Sequence, residues 1–242
     1  MIRLLICALL VSISSMVAAQ QPARPVLDEN SIVKDSTGFQ YPYFMWRNLF
    51  QSGRYGIKSM RIANAADHEF LIYEFPEKEM AERMERMPKP RETAVFKTGT
   101  KLRNFKAVDI NGKKYDLKEL AGKVVVLNFW FINCPPCRIE IPELNNLVSK
   151  YKDNPDVVFL AIGLDEKYDI QQFLKKSPFL YNIVDRGRFL TEQYRVKLYP
   201  THVVLDREGL VKFHSDGLAT NTIYWIGKTI KESLNPVTSG NL

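Results

Sequence analysis

The chain has 242 residues, 45% hydrophobic and 12% aromatic, an ordinary globular composition with enough material for a sizeable core and room for a second domain. The formal charge is +7, but basic residues are interleaved with acids, as in Glu77-Lys78-Glu79 and Glu82-Arg83. A solvated surface explains that balance, and no basic stripe with stacking aromatics points to nucleic acid as a partner.

The first residues, MIRLLICALLVSISSMVAAQQP, place a basic Arg3 before an apolar stretch and the small residues Val17-Ala18-Ala19. This is the layout of a secretory signal peptide, with residues 1–19 as the expected segment. The apolar run is short for a membrane span and broken by serines, so a membrane association is expected only if the segment is retained. Cys7 reads as a small apolar residue of that segment. Without it, the cysteines are Cys134 and Cys137 alone.

Residues 20–94 are expected to form a small N-terminal unit with a linker. GFQYPYFMWRNLF, RYGIKSMRIANA and HEFLIYEF are short aromatic and β-branched stretches, with a turn at Asn64-Ala65-Ala66-Asp67 and a short helix around Met45–Gln51. PEKEMAERMERM reads as a charged helix with Met80, Met84 and Met87 along a packing side, and Pro88-Lys89-Pro90 ends it as a linker. No motif in this unit carries a function.

From residue 95 to 242 the pattern is that of one α/β domain. Asn111-Gly112 favours a hairpin turn, Asp116 is placed to cap the short LKEL helix, and Gly122 to end it. VVVLNFW is a continuous apolar strand, Val124 to Trp130. A helix to about Lys152 follows, with Ile141, Leu144, Leu147 and Val148 on one face. DVVFLAIGLD and LYNIVD are strands, Asp169–Lys176 and Arg188–Arg195 helices, THVVLDREGLVKFH a hairpin turning at Asp206–Gly209, and Thr220–Leu234 a last helix. Strands alternating with helices and closed by a hairpin and a helix predict a mostly parallel core with an antiparallel edge, covered on both faces.

Between the strand and the long helix stands Cys134-Pro135-Pro136-Cys137. A structural zinc site wants four Cys or His ligands, usually as two separated pairs. There is no second cysteine pair, and His68, His202 and His214 have no ligand spacing. Two cysteines with a two-residue spacer close too small a loop to stabilise much by chain entropy. The pair therefore reads as redox-active. Cys134 is expected at the helix N-terminus, where unpaired N–H groups and the dipole favour a thiolate. Cys137, one turn further in, is expected to be more buried and to resolve the mixed disulfide. Pro135 and Pro136 fix φ where helix N–H groups are unpaired anyway.

The segment LNFWFINCPPCRIEIPELNNLV resembles the active-site region of thioredoxin-like proteins of the TlpA/ResA type, which are exported thiol–disulfide oxidoreductases. The likeness spans roughly Thr98 to Leu234 and rests on Asn128-Phe129-Trp130, the CPPC pair, Glu140-Ile141-Pro142 and Tyr199-Pro200-Thr201. It implies a thioredoxin fold, a mixed central sheet flanked by helices, with a helix–strand insertion that Phe179–Val196 fits. It further implies a cis peptide at Pro200 beside the cysteines, and a backbone at Tyr199 that pairs with the partner. In such proteins an acid at Glu140 tunes the thiols and assists proton transfer, and Pro142 kinks the helix. Asn128 and Trp130 support the site. Asn128 stands where thioredoxins carry a buried aspartate, and Asn133 where a Trp precedes the first cysteine, so Glu140 becomes the acid of interest.

The expected function is disulfide exchange with other exported proteins, in the reductive direction, drawing on a thiol electron donor that the sequence does not identify. The expected place is the periplasm. No metal or cofactor is expected beyond the Cys134–Cys137 disulfide. The alternatives are a redox-sensing or partner-binding protein without turnover and a thiol peroxidase. The latter needs a Thr shortly before its cysteine, where this chain has Phe131-Ile132-Asn133.

Overall fold

The structure, a computed structural model, describes residues 26–60 and 69–235. The expected signal segment, the turn at 64–67 and His68 lie outside the described residues. The chain divides into two compact units, one of residues up to Gln51 with Tyr55–Glu74, the other of Ser52–Arg54 with Phe75 onward.

The first unit is a four-stranded sheet with one helix. Strands β1 (Ile32–Lys34), β2 (Gln40–Tyr41), β3 (Tyr55–Met60) and β4 (Glu69–Glu74) order as β2-β1-β4-β3, and helix α1 spans Tyr43–Gln51. β1 and β4 run parallel, while the two outer pairings are antiparallel. Its core is Val33, Trp46, Phe70 and Ile72.

The second unit starts earlier than the expected boundary at 95. Helix α2 (Glu77–Arg86) belongs to it, and Met84 alone of the three methionines is buried, with Met87 exposed. The proline segment after α2 is fixed in place. Asn221 Nδ2 donates to the carbonyls of Met84 and Pro88, both at 3.1 Å, and Glu85 accepts from Tyr224 and pairs with Lys228. Arg91 bonds Asp216 at 2.6 Å, and Lys89 lies over the Trp225 ring. Thr93 donates its amide to Nδ1 of buried His214 at 3.1 Å. That bond requires an unprotonated Nδ1, and burial lowers the His214 pKa from its ordinary 6.5 against the opposing charges of Glu92 and Asp216. The unfolded chain then protonates His214 at higher pH than the native one, so the stability it contributes is full above about 6.5 and is lost as pH falls through the lowered folded value. Thermal melts from pH 8 to 5 should show this loss, about 1 kcal/mol for one buried hydrogen bond, and His214→Gln should flatten it.

The remainder is built on a five-stranded sheet of order β11-β10-β7-β8-β9. Its strands are β7 (Val124–Trp130), β8 (Val157–Gly163), β9 (Asn182–Val184), β10 (Thr201–Leu205) and β11 (Val211–Asp216). β7, β8 and β9 are parallel, and β10 and β11 form the antiparallel edge. All seven residues of β7 are buried, because both faces of the sheet are covered. Alternation sends Val124, Val126 and Trp130 to one core, under α3 (Pro135–Lys150), α4 (Lys167–Lys176) and α6 (Thr222–Leu234). It sends Val125, Leu127 and Phe129 to the other core, with α5 (Arg188–Tyr194), Phe96, Phe105 and the hairpin β5–β6 (Lys106–Val108, Lys114–Asp116). Fully burying each such Val, Leu or Phe stabilises the fold by roughly 1.5–3 kcal/mol.

That hairpin turns on Asp109-Ile110-Asn111-Gly112, with Gly112 alone at positive φ (89°). Asn111 stays at negative φ because the Asp109 carboxylate accepts the amides of Asn111 and Lys113, making a longer turn than a two-residue Asn-Gly loop. Asp206 does the same for Glu208 and Leu210 ahead of Gly209. Asp116 caps a 3-10 turn, Leu117–Leu120, by accepting from Lys118. The insertion Phe179–Val196 carries its strand first and its helix second, β9 then α5. At Gly187 between them the chain passes so close that a Cβ would meet Ile162 Cγ2 at 2.4 Å.

Candidate active site

β7 ends at Trp130 and α3 begins at Pro135, so four residues carry the chain from sheet to helix. The loop is fixed at two points: Asp165 accepts the amide of Ile132 at 2.7 Å, and Cys134 donates to the carbonyl of Phe131 at 3.2 Å. Cys134 is the N-cap of α3, and Pro135 and Pro136 fill the first two helical positions. Two of the amides that a helix start leaves unpaired are thereby removed. Arg138 donates to the Cys134 carbonyl, and the Cys137 amide points at Cys134 Sγ, 3.3 Å away.

Cys134 and Cys137 form a disulfide, and each is 2% exposed. The expectation that Cys137 is the more buried does not hold. What separates the two is position: Cys134 sits on the helix cap and takes the amide, while Cys137 lies inside the first turn. Pro142 lies within α3, where it leaves the Arg138 carbonyl without an i+4 amide, and the helix continues through it to Lys150.

Tyr199 comes to the same end of the sheet, its ring edge-on to Phe131 at 5.3 Å. The Tyr199–Pro200 bond is cis, Pro200 is buried, and its carbonyl accepts from Gly217. Thr201 opens β10 opposite Phe129 and bonds the Leu198 carbonyl through its hydroxyl. Trp130 packs its indole edge-on to Phe179 and against Phe173.

Glu140, one turn beyond Cys137, is 3% exposed, and its Oε2 lies 2.9 Å from Nε2 of His202, which is fully buried. His202 stands opposite Asn128 in the β10–β7 register, so the two share the face that α3 covers. His202 and Asp165 were not singled out by sequence reasoning. The one available signal for His202 was a lone ionisable residue inside an otherwise apolar buried strand, THVVL, which demands a partner. Asp165 lies just past the end of β8, after Leu164, and meets the loop that follows β7, a proximity that the parallel pairing of those strands creates. Among the described residues no group of three or more His, Cys, Asp or Glu is placed to hold a metal ion.

A buried disulfide at the helix start after the central strand of a mixed α/β sheet defines a thioredoxin-fold redox protein. The match to known proteins agrees. Residues 98–214 match the AhpC/TSA family model. The chain is 30% identical over 141 residues to the thiol-disulfide oxidoreductase ResA of Halalkalibacterium halodurans, covering 57% of this chain and 80% of that protein. With the ResA of Bacillus cereus identity is 36% over 115 residues, 47% of this chain and 66% of that one. Among solved structures, a candidate thiol:disulfide interchange protein DsbE from Chlorobium tepidum superposes with a TM-score of 0.52 at 28% identity, over 57% of this chain and 99% of its own. The chain belongs to the ResA family of thiol–disulfide oxidoreductases.

Proposed function

We propose that this protein is a reductase of protein disulfides in the periplasm, with Cys134 as nucleophile, Cys137 as resolving thiol and Glu140 as the acid–base group beside them. The observation that carries the reading is the Cys137 amide directed at Cys134 Sγ, on a helix start where two prolines remove the neighbouring donors. A helix N-terminus and one aimed N–H favour a thiolate at Cys134 over one at Cys137.

The exchange then runs in two steps. The Cys134 thiolate attacks one sulfur of a partner's disulfide, forming a mixed disulfide and releasing the partner's other sulfur as a thiolate. The Cys137 thiol gives up its proton, attacks Cys134 Sγ and displaces the partner, now reduced by two electrons, while the Cys134–Cys137 bond forms. A thiol donor reverses the change on this chain. Tyr199, Pro200 and Thr201 border the site on the side of β10 and would receive the partner's extended backbone. The signal-like N-terminal segment supports export, and among the described residues no helix is long and apolar enough to cross a membrane.

Equilibrating the Cys134–Cys137 pair against glutathione buffers tests the direction. A potential near that of thioredoxin, about −270 mV, is expected, and one near about −120 mV, where the strong oxidant of this fold lies, would overturn the reductase reading.

A further inference from the structure

The buried pair of Glu140 and His202 does more than fill space. Oε2 and Nε2 are 2.9 Å apart, with side chains 2% and 0% exposed. The other atom of each group, Glu140 Oε1 and His202 Nδ1, has no hydrogen-bond partner among the described residues. Such atoms are costly to bury, so this arrangement is poor as a structural ion pair. It suits a pair of groups that pass a proton between them.

The surroundings support this. Cys137 lies one turn before Glu140 on α3, Tyr181 ahead of β9 is near enough to feel the Glu140 charge, and Asn128 on β7 and Ser215 on β11 align with His202 across the sheet. The inward residues of α6 (Thr222, Ile226, Thr229, Ile230 and Ser233) and Ile170 of α4 are not ionisable. Burial, and after it the charge of Glu140, raises the Tyr181 phenol well above its ordinary range, so Tyr181 keeps its proton. Beside the cysteines, Glu140 and His202 are thus a buried carboxyl and imidazole in direct contact, a pair able to exchange a proton.

We propose that His202 is the positioning residue for Glu140: from the sheet side it holds Oε2 and shares its proton, so that the pair takes up the proton Cys137 loses. This rests on the exchange reading above. In the resolving step, Cys137 gives its proton to the unprotonated pair and becomes a thiolate. Its sulfur bonds Cys134 Sγ as the Cys134–partner bond breaks, and the bonding pair leaves with the partner's sulfur. When a thiol donor next reduces the disulfide, the pair returns the proton to Cys137. Asn128 fits this assignment, because a carboxylate there would set a second anion beside His202 and compete with Glu140 for its proton.

The reduced protein mixed with 5,5′-dithiobis(2-nitrobenzoate) in a stopped-flow instrument separates the steps. The first thionitrobenzoate released reports Cys134 attack, and the second, a concentration-independent phase, reports attack by Cys137. Glu140→Gln should slow the second phase about a hundredfold, the low end of what a positioned acid–base group supplies, and His202→Leu about tenfold, with the first phase unchanged in both. His202→Gln retains a donor to Oε2 but holds no exchangeable charge. It should recover most of the rate at its own optimum, on a pH profile displaced from that of the native protein. His202→Leu and His202→Gln profiles superimposable on the native one would overturn the proposal while leaving the exchange reading intact. Absence of the first phase in the native protein would overturn both.

Discussion

Cys134→Ser is expected to reduce catalysed disulfide reduction to the uncatalysed background, and Cys137→Ala to stop it after one covalent event. The two outcomes differ although the two residues are equally buried. Cys134 carries the sulfur that caps α3 and receives the Cys137 amide, which on the proposed reading makes it the attacking thiolate. A serine hydroxyl in its place stays protonated and does not attack. Removing Cys137 leaves the first attack intact and deletes the escape, so the Cys134–partner disulfide accumulates. Insulin reduction with a thiol donor measures the first outcome. Mass spectrometry of Cys137→Ala after incubation with a disulfide-bearing peptide measures the second, as one peptide adduct per chain that dithiothreitol removes. Accumulation on Cys137 in Cys134→Ser, with none on Cys134 in Cys137→Ala, would exchange the roles. Both cysteines lie in a loop and first turn held by backbone bonds, so folding is not the variable under test.

The elements that sequence alone locates are those whose signal is local. β7 occupies Val124–Trp130 as read, because a seven-residue β-branched and aromatic run followed by Cys-Pro-Pro leaves one place for a strand to end and a helix to start. The hairpins at Gly112 and Gly209 follow from Asp and Gly in their turns. The missing parts are long-range and polar. His202 meets Glu140 across 62 residues, Asn221 meets Met84 across 137, and Thr93 meets His214 across 121. Nothing within a few residues of Pro88-Lys89-Pro90 says that its carbonyls have partners on a distant helix, so its composition reads as a free linker. The parallel pairing of β1 with β4 is hidden for the same reason, since strands 35 residues apart carry no turn signal that joins them. The site was legible where a local motif carries it, at Cys134, Cys137 and Glu140 and at Tyr199-Pro200-Thr201. It became illegible at His202 and Asp165, whose partners Glu140 and Ile132 lie far along the chain.

Trp130→Ala is expected to cost about 3–5 kcal/mol, the range for emptying a large buried aromatic site, which is a substantial part of the 5–15 kcal/mol of an ordinary domain. Trp130 is fully buried at the last position of β7, with ring centroids 5.4 Å from Phe179 and 5.6 Å from Phe173. Its neighbour across the β7–β8 pairing is Gly163, where a Cβ would lie 3.4 Å from the indole nitrogen and 3.0 Å from Ile170 Cδ1. The sheet, α4 and the insertion thus shape one slot around the ring, and a methyl group leaves most of it empty. The sheet backbone limits collapse from below, since Trp130 still accepts the Leu164 amide whatever its side chain. The indole N–H has no partner among the described residues, so Trp130→Phe removes no hydrogen bond and should cost under about 1.5 kcal/mol. Urea unfolding followed by far-ultraviolet circular dichroism measures both, with the Ala variant's midpoint shifted at unchanged m-value. A cost in Trp130→Ala no larger than in Trp130→Phe would show that Phe173 and Phe179 close over the gap. Because the slot lies four residues before Cys134, the same loss should free the loop that Asp165 holds at Ile132, and the Ala variant should release its first thionitrobenzoate with altered rate even where it is fully folded.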